Sequence, residues 1–444
     1  MTDRIVVIGG DAGGMAAVSQ MRKGRPEAEI VVLERGNWTS YSACGIPFVI
    51  GGEIETVEQL QARTPQQFRD RDRIDVRMRQ EVMSIDLAQR FVEVRAHEQN
   101  RTYRLGFDQM LIGTGGSPIT PDLPGIDLPN VHRVQTLDNA AALLAAVERG
   151  TIASAVVVGG GYIGLEMAEA FCRRGAKVTL VEASDQIMRT FDADMAKPIM
   201  KALGAHGIEV GLGVRVTGFE TDGVITTSGK IAADVVVLGI GIMPNSALAG
   251  AAGLDLGVRN AISVDRRQQT SAEGIYAAGD CAESFHLVSR RNVHIALGTV
   301  ANKQSRVAGI NLGGGYATFP GVIGTAISKI CSLEVARTGL TESEAADAGF
   351  GATAVSINAT TRAGYFPGAE PITVKLVVER GSGRILGGQI AGGTGSGKRI
   401  DSIAVAVTAG WSAEDLLNAD LAYAPPFSGV WDPVQIAARE ALKI

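Results

Sequence analysis

Ala155-Val156-Val157-Val158-Gly159-Gly160-Gly161-Tyr162-Ile163-Gly164 is the stretch on which the fold of this chain turns. A short run of small and β-branched apolar residues ends in a glycine turn, and a helical stretch from Leu165 to about Arg174 follows. Lys177-Val178-Thr179-Leu180-Val181 is a second buried-type strand, and it closes on Glu182. Strand, glycine turn, helix, strand and acid in that order form the dinucleotide-binding fingerprint, with all three glycines present at Gly159, Gly161 and Gly164. The turn lets backbone N–H groups approach a pyrophosphate, and the helix N-terminus favours its negative charge. Glu182 would repel a ribose 2′-phosphate, and Ala183-Ser184-Asp185 offers no Arg or Lys to hold one. NADH is therefore expected over NADPH.

The same unit occurs a second time, at the start of the chain. Arg4-Ile5-Val6-Val7-Ile8 leads into Gly9-Gly10-Asp11-Ala12-Gly13-Gly14 and a helical stretch through Arg22; Glu29-Ile30-Val31-Val32-Leu33 then ends in Glu34. Gly9 and Gly14 keep their places while Asp11 stands where the middle glycine is usual, and Glu34 can accept hydrogen bonds from ribose hydroxyls. Two dinucleotides facing each other make a hydride-transfer device. Between and after the copies, Met110 to Pro118 and Val235 to Asn245 are apolar strands running into glycine turns, and Ile275-Tyr276-Ala277-Ala278-Gly279-Asp280 places an acid directly after another strand.

Composition frames these motifs. At 444 residues the chain has room for roughly three domains. Its net charge of −5 with no Lys/Arg block leaves nucleic acid no electrostatic footprint. No apolar run reaches membrane-spanning length, and Met1-Thr2-Asp3-Arg4 leads straight into a strand with no room for a leader, so no membrane partner and a cytoplasmic location are expected. The four cysteines (Cys44, Cys172, Cys281, Cys331) and five histidines are scattered, which predicts neither a disulfide framework nor a metal site.

One of those cysteines stands apart. Ser40-Tyr41-Ser42-Ala43-Cys44-Gly45-Ile46-Pro47-Phe48 lies just beyond the first fingerprint, and the position five residues on, where a redox pair would close, is Val49. A thiol without an internal partner points to chemistry in which the other sulfur or oxygen arrives with the substrate. Beyond about residue 325 the character changes: Thr373–Glu379 and Arg384–Ile390 flank Arg380-Gly381-Ser382-Gly383 as a hairpin, an amphipathic helix runs from about Ile400 to Ala409, and Tyr423-Ala424-Pro425-Pro426-Phe427 is stiffened by two prolines. This reads as a third, α+β domain without a fingerprint of its own.

These segments together resemble the pyridine nucleotide-disulfide oxidoreductase class, and within it the coenzyme A-disulfide reductase and single-cysteine NADH oxidase branch. The specific carriers are the Cys44 segment, Tyr365-Phe366-Pro367-Gly368, Gly397-Lys398-Arg399-Ile400-Asp401 and Tyr423-Ala424-Pro425-Pro426-Phe427-Ser428. The resemblance implies an α/β fold with two Rossmann-like dinucleotide-binding domains, for FAD and for NAD, and a C-terminal α+β dimerisation domain. It implies a discontinuous FAD domain over 1–112 and 244–324, an NAD(P)H domain over 113–243, and dimerisation over 325–444. Asp280 would contact the flavin ribityl or phosphate region, and Glu166 resembles a glutamate near the flavin and nicotinamide. In the homodimer, Cys44 of one subunit would meet Tyr365 and Tyr423 of the other. A depressed pKa is expected for Cys44, from a nearby helix N-terminus and the flavin environment. Glutathione reductase-like enzymes protonate the departing thiolate with a C-terminal histidine. Leu421 to Asp432 contains none, which leaves Tyr423 as donor with Tyr365 second.

The substrate implied is coenzyme A disulfide, or a related small thiol disulfide or persulfide. Gln20, Lys23, Ser40 and Lys303 occupy places that hold the nucleotide part of coenzyme A in such enzymes, although Ala43 stands where asparagine is common and Asp72 where lysine occurs. Two alternatives stay open. An NADH oxidase or peroxidase would cycle Cys44 through a sulfenic acid, but those relatives carry a histidine at the position of Ala12. A flavoprotein reductase serving a protein partner would need neither Cys44 nor the tyrosine segments.

Overall fold

Strands of valine and isoleucine that are apolar on both faces need cover on both faces, and each fingerprint unit supplies it in the same way. A computed structural model describes residues 3–148, 150 and 152–444; Met1 and Thr2, part of the stretch read above for a leader, lie outside them. In the first unit Arg4–Ile8 pairs in parallel with Glu29–Glu34 on one side and Gln109–Ile112 on the other, and Ile275–Ala277 and Asp75–Met78 complete a five-stranded sheet. Ile5 and Val7 face the helices Ala12–Gly24 and Gly298–Leu312, while Val6 and Ile8 face a three-stranded antiparallel meander that includes Val92 and Val94. The two helices cross closely: a Cβ on Gly309 would fall 2.4 Å from the Ala17 carbonyl oxygen.

The second unit repeats the design. Ser154–Val158 lies between Lys177–Glu182 and Val235–Leu238, with Glu209–Leu212 and Val131–Arg133 at the edges of a parallel five-stranded sheet. Ala155 and Val157 pack toward the helix Tyr162–Arg173, and Val156 toward a second antiparallel meander. An antiparallel ribbon of Gly116–Pro118 with Ile242–Pro244 lies beside the crossings between the units.

The third unit is a five-stranded antiparallel sheet in the order Ala326–Ile330, Leu333–Gly339, Ile385–Gly392, Pro371–Glu379, Ala352–Thr360. The hairpin read from Arg380-Gly381-Ser382-Gly383 is the pairing of Pro371–Glu379 with Ile385–Gly392. Helix Ile400–Ala409 packs on this sheet, close enough for a Cβ on Gly388 to touch Ile403, and Gly410 ends it in the left-handed region at φ 73°. Asp432 caps the last helix, Pro433–Ala441, reciprocally with Gln435. The chain is thus an α/β protein of two Rossmann-like units and an α+β third domain. Among the described residues no helix is long and apolar enough to cross a membrane.

An ion cluster fastens the second unit to the third. Lys375, whose side chain is 4 % exposed, reaches Asp192 at 3.2 Å, Asp194 at 2.7 Å and Glu342 at 2.5 Å. Burial works against ionised Asp194, but the hydrogen bond and charge of Lys375 hold its carboxyl below the usual range. Removing the lysine takes the cation from one mostly buried carboxylate, Asp192, and from two half-exposed ones, so Lys375→Met should destabilise the fold by roughly 1–2 kcal/mol at neutral pH. A carboxyl held low stabilises above its unfolded pKa and loses that contribution as pH falls, so the gap in Tm between variant and wild type should narrow below about pH 4. Thermal unfolding across pH measures both.

Candidate active site

Both glycine turns are shaped by atoms that a side chain would strike. Gly9 sits at φ 104°, and a Cβ there would fall 2.1 Å from the Gly113 carbonyl oxygen; one on Gly14 would fall 1.9 Å from that of Gly9. Helix Ala12–Gly24 has no side-chain cap, so its first N–H groups remain available to an anion. Glu34 accepts from the backbone N–H of Gly10 at 2.7 Å and of Gly36 at 2.6 Å, which fixes the carboxylate at the end of its strand. Asp11, the departure from the glycine pattern, accepts instead from the Tyr41 N–H at 3.0 Å. Burial pushes its carboxyl up to about 6, with the Tyr41 N–H opposing and Glu34 adding to the rise.

The second turn copies the first. Gly159 sits at φ 106° with its Cβ position 2.5 Å from the Gly239 carbonyl oxygen, and a Cβ on Gly164 would fall 1.9 Å from that of Gly159. Nothing lies nearer to the Cβ position of Gly161 than 3.9 Å, so the space before this uncapped helix is open. Glu182 accepts from Gly160 N–H at 2.7 Å and from the N–H and hydroxyl of Ser184, both at 2.8 Å. Burial opposes ionisation of Glu182, but these donors keep its carboxyl below the usual range, and the Arg189 charge adds to them. Excluded Cβ positions, free helix N-termini and an anchored acceptor carboxylate fit a dinucleotide in each cradle.

Arg189 was missed in the sequence, where only the three residues after Glu182 were weighed. Met188, in the left-handed region at φ 47°, donates its N–H to the Gly160 carbonyl at 2.8 Å. The loop therefore folds back and sets exposed Arg189 beside the acid. Ala183-Ser184-Asp185 carries no cation, as read, but the fold brings one to this corner from four residues further on.

Cys44 is exposed in the single turn Ala43–Gly45, which runs into the short helix Ile46–Ile50. Its loop is tied to the first glycine turn. Thr39 Oγ1 and the Ser40 N–H both donate to the Gly10 carbonyl, and Ser40 holds a strained left-handed φ of 51°. Desolvation on the protein side pushes the Cys44 thiol up, and Glu166, Asp280 and Asp11 push it further. The expected depression is thus not a property of the protein atoms. A five-residue helix has little dipole to offer, and three carboxylates outweigh it. Thiolate formation here needs a favourable partner other than these side chains.

Asp280 follows the strand Ile275–Ala277; burial raises its carboxyl and His294 opposes the rise. Buried Gln304 accepts from the Gly279 N–H at 2.9 Å and so holds this turn, a role with no local sequence signature. Burial also raises Glu166, against a hydrogen bond from Ser328 at 2.7 Å. Tyr365 and Tyr423 lie together on the third domain, both exposed; their shared hydrogen bond holds the Tyr423 phenol above its usual range. Exposed Phe427, Val430 and Trp431 lie close by in sequence. Gln20 and Lys23 lie one turn apart on Ala12–Gly24, and Lys303 on the helix packed against it; both lysines are exposed. Asp72 is occupied by Arg63 at 2.7 Å. Of the other cysteines, Cys281 and Cys331 are buried, and Cys172 donates to the His206 carbonyl at 3.2 Å.

The family model for pyridine nucleotide-disulphide oxidoreductases matches residues 3–305, and the model for their dimerisation domain matches 325–433. This chain belongs to that family. The oxidoreductase is 38% identical over 441 residues to the CoA-dependent NAD(P)H sulfur oxidoreductase of Pyrococcus furiosus, covering 98% of each chain. It is 35% identical over 445 residues to an NADH oxidase of Methanocaldococcus jannaschii, covering 99% of each. The solved NAD-dependent persulfide reductase of A. fulgidus superposes with a TM-score of 0.95 at 37% identity, over 99% of this chain and 83% of that one. Membership implies a flavin and a pyridine nucleotide in the two cradles.

Glu182 and Arg189 bring opposite charges to one corner of the second cradle. Arg189→Ala should raise KM for NADPH about tenfold, the worth of one charge-assisted hydrogen bond, and leave KM for NADH within about twofold. Glu182→Ala should narrow any preference for NADH. Steady-state kinetics with both nucleotides checks the pair, and an unchanged NADPH KM in Arg189→Ala would remove that arginine from recognition.

Proposed function

We propose that this oxidoreductase is an FAD-dependent enzyme of the cytoplasm, active as a homodimer, that uses NADH, and NADPH less well, to reduce coenzyme A disulfide or a related small thiol disulfide or persulfide through Cys44. One observation carries the reading. Cys44 is the exposed thiol of the chain, it faces Asp280 and Asp11 of the first cradle and Glu166 of the second, and position 49 in its loop is a buried valine. The second sulfur must therefore come with the substrate.

FAD would rest on Gly9, Gly14, Glu34 and Asp280, and NADH on Gly159, Gly161, Gly164, Glu166 and Glu182. When bound, the flavin supplies the relay between a hydride donor and sulfur. The protein's part begins with the Cys44 thiolate, which attacks one sulfur of the substrate disulfide; a mixed disulfide forms on Cys44 as the old S–S bond breaks. The departing thiolate takes a proton, and the chain offers phenols for this where it has no histidine. Tyr423, hydrogen-bonded to Tyr365 and held above its usual range, is protonated at neutral pH and can donate. Both tyrosines sit on the domain whose family model is a dimerisation domain, so they serve Cys44 of the partner subunit. Lys23 and Lys303 offer cations to the phosphates of coenzyme A, with Gln20 and Ser40 as polar contacts. The neutralised Asp72 does not compete with them.

The M. jannaschii relative supports a second reading, oxidation of NADH by oxygen through a Cys44 sulfenic acid. Ala12 supplies no imidazole for that cycle, so the disulfide reading ranks first. Anaerobic NADH consumption with coenzyme A disulfide, repeated in air without it, separates the two. Cys44→Ser should lower anaerobic turnover at least about a hundredfold while the flavin absorbance of the purified protein persists. Unchanged turnover would take Cys44 out of the mechanism.

A further inference from the structure

Helix Tyr162–Arg173 carries Glu166 on its first turns, and the third domain reaches it with one short segment. Ser328 Oγ, buried in strand Ala326–Ile330, donates to Glu166 Oε1 at 2.7 Å across 162 residues of sequence. One turn along the helix Glu169 accepts from Lys329 Nζ at 2.8 Å and from the Cys331 N–H at 2.6 Å. The segment before the Cys44 side of the cleft meets the same helix. Arg174 Nε donates to the Ile50 carbonyl at 2.7 Å, and Ile46, Val49 and Ile50 share a core with Leu165, Met167 and Ala168.

Resting on the reading of Glu166 as a cofactor-side carboxylate, we infer that Ser328 is a positioning residue, a third-domain hydroxyl that holds the Glu166 carboxylate in one orientation beside Cys44 at the junction of the two cradles. The groups that face Glu166 define its task. Cys44 looks at it from the 43–45 turn, and Glu169 and Tyr162 from its own helix; none of these donates a hydrogen bond to it. Ser328 is the hydroxyl that satisfies and favours its charged form against burial and the Glu169 charge. Through this bond the third domain acts on the electrostatics of the thiol as well as on assembly.

The test reads the thiol rather than turnover. Reduced holoenzyme is alkylated with iodoacetamide from pH 5 to 9, and the rate at Cys44 is followed by peptide mass spectrometry. Without the Ser328 donor the Glu166 carboxyl retains its proton to higher pH and opposes the thiolate less. Ser328→Ala should therefore alkylate faster than wild type near pH 7, on the order of threefold, in the same direction as Glu166→Gln. Ser328→Thr, which keeps the hydroxyl, should follow wild type, and matched thermal unfolding of the three proteins keeps a loss of folding from imitating the effect. A Ser328→Ala profile identical to wild type, with Glu166→Gln accelerated, overturns the role of Ser328 alone. A Glu166→Gln profile identical to wild type overturns the placement of Glu166 beside Cys44, and the inference with it.

Discussion

The helix Tyr162–Arg173 is the element on which the rest of the site depends. Its free N-terminus forms one cradle, Gly164 lets it lie against the Gly159 carbonyl, and its outer face carries Glu166 and Glu169. Three separate parts of the chain grip it: its own parallel sheet, the Ile46–Ile50 segment next to the thiol, and the strand Ala326–Ile330 of the third domain. Side chains at i, i+3 and i+7 of a helix share a face, so one strand can bond Glu166 and Glu169 together. A displacement of this helix would move the nucleotide turn, the acid and the thiol's surroundings at once.

Charge is distributed with a consistent logic around it. Each carboxylate at the end of a fingerprint's second strand is fixed by backbone N–H groups, Glu34 by two and Glu182 by two together with a hydroxyl. Hydrogen bonds of this type are worth more than neutral ones because one partner is ionised. Around Cys44 the protein does the reverse and surrounds the thiol with Glu166, Asp280 and Asp11. Burial and these carboxylates together raise the thiol above its ordinary range.

The third domain has two faces with separate tasks. Inward, buried Lys375 draws Asp192, Asp194 and Glu342 into one ion cluster, and Ser328 and Lys329 reach the nucleotide helix. Outward, Tyr365, Tyr423, Phe427, Val430 and Trp431 are exposed and close to one another in sequence in two short segments. Exposed aromatic and aliphatic groups at that density mark an interaction surface. The two tyrosines read as donors for sulfur chemistry belong to this outward face.

Both Rossmann-like units were legible in the sequence because their signals are local. A buried strand, a turn that tolerates no Cβ, a helix and an acid at the next strand's end fall within about thirty residues, and backbone sterics dictate the turn. The hairpin around Arg380-Gly381-Ser382-Gly383, the helix over about Ile400 to Ala409 and the isolation of Cys44 were legible for the same reason. What the sequence could not disclose depends on contacts between distant residues. Arg189 meets Glu182 only because Met188 bonds back to Gly160, Gln304 holds Gly279 from another helix, and Ser328 finds Glu166 from another domain. The electrostatics of Cys44 belong with these. Burial, the largest cause, and three carboxylates from three separate elements together raise the thiol, a combination that exists only in the folded chain.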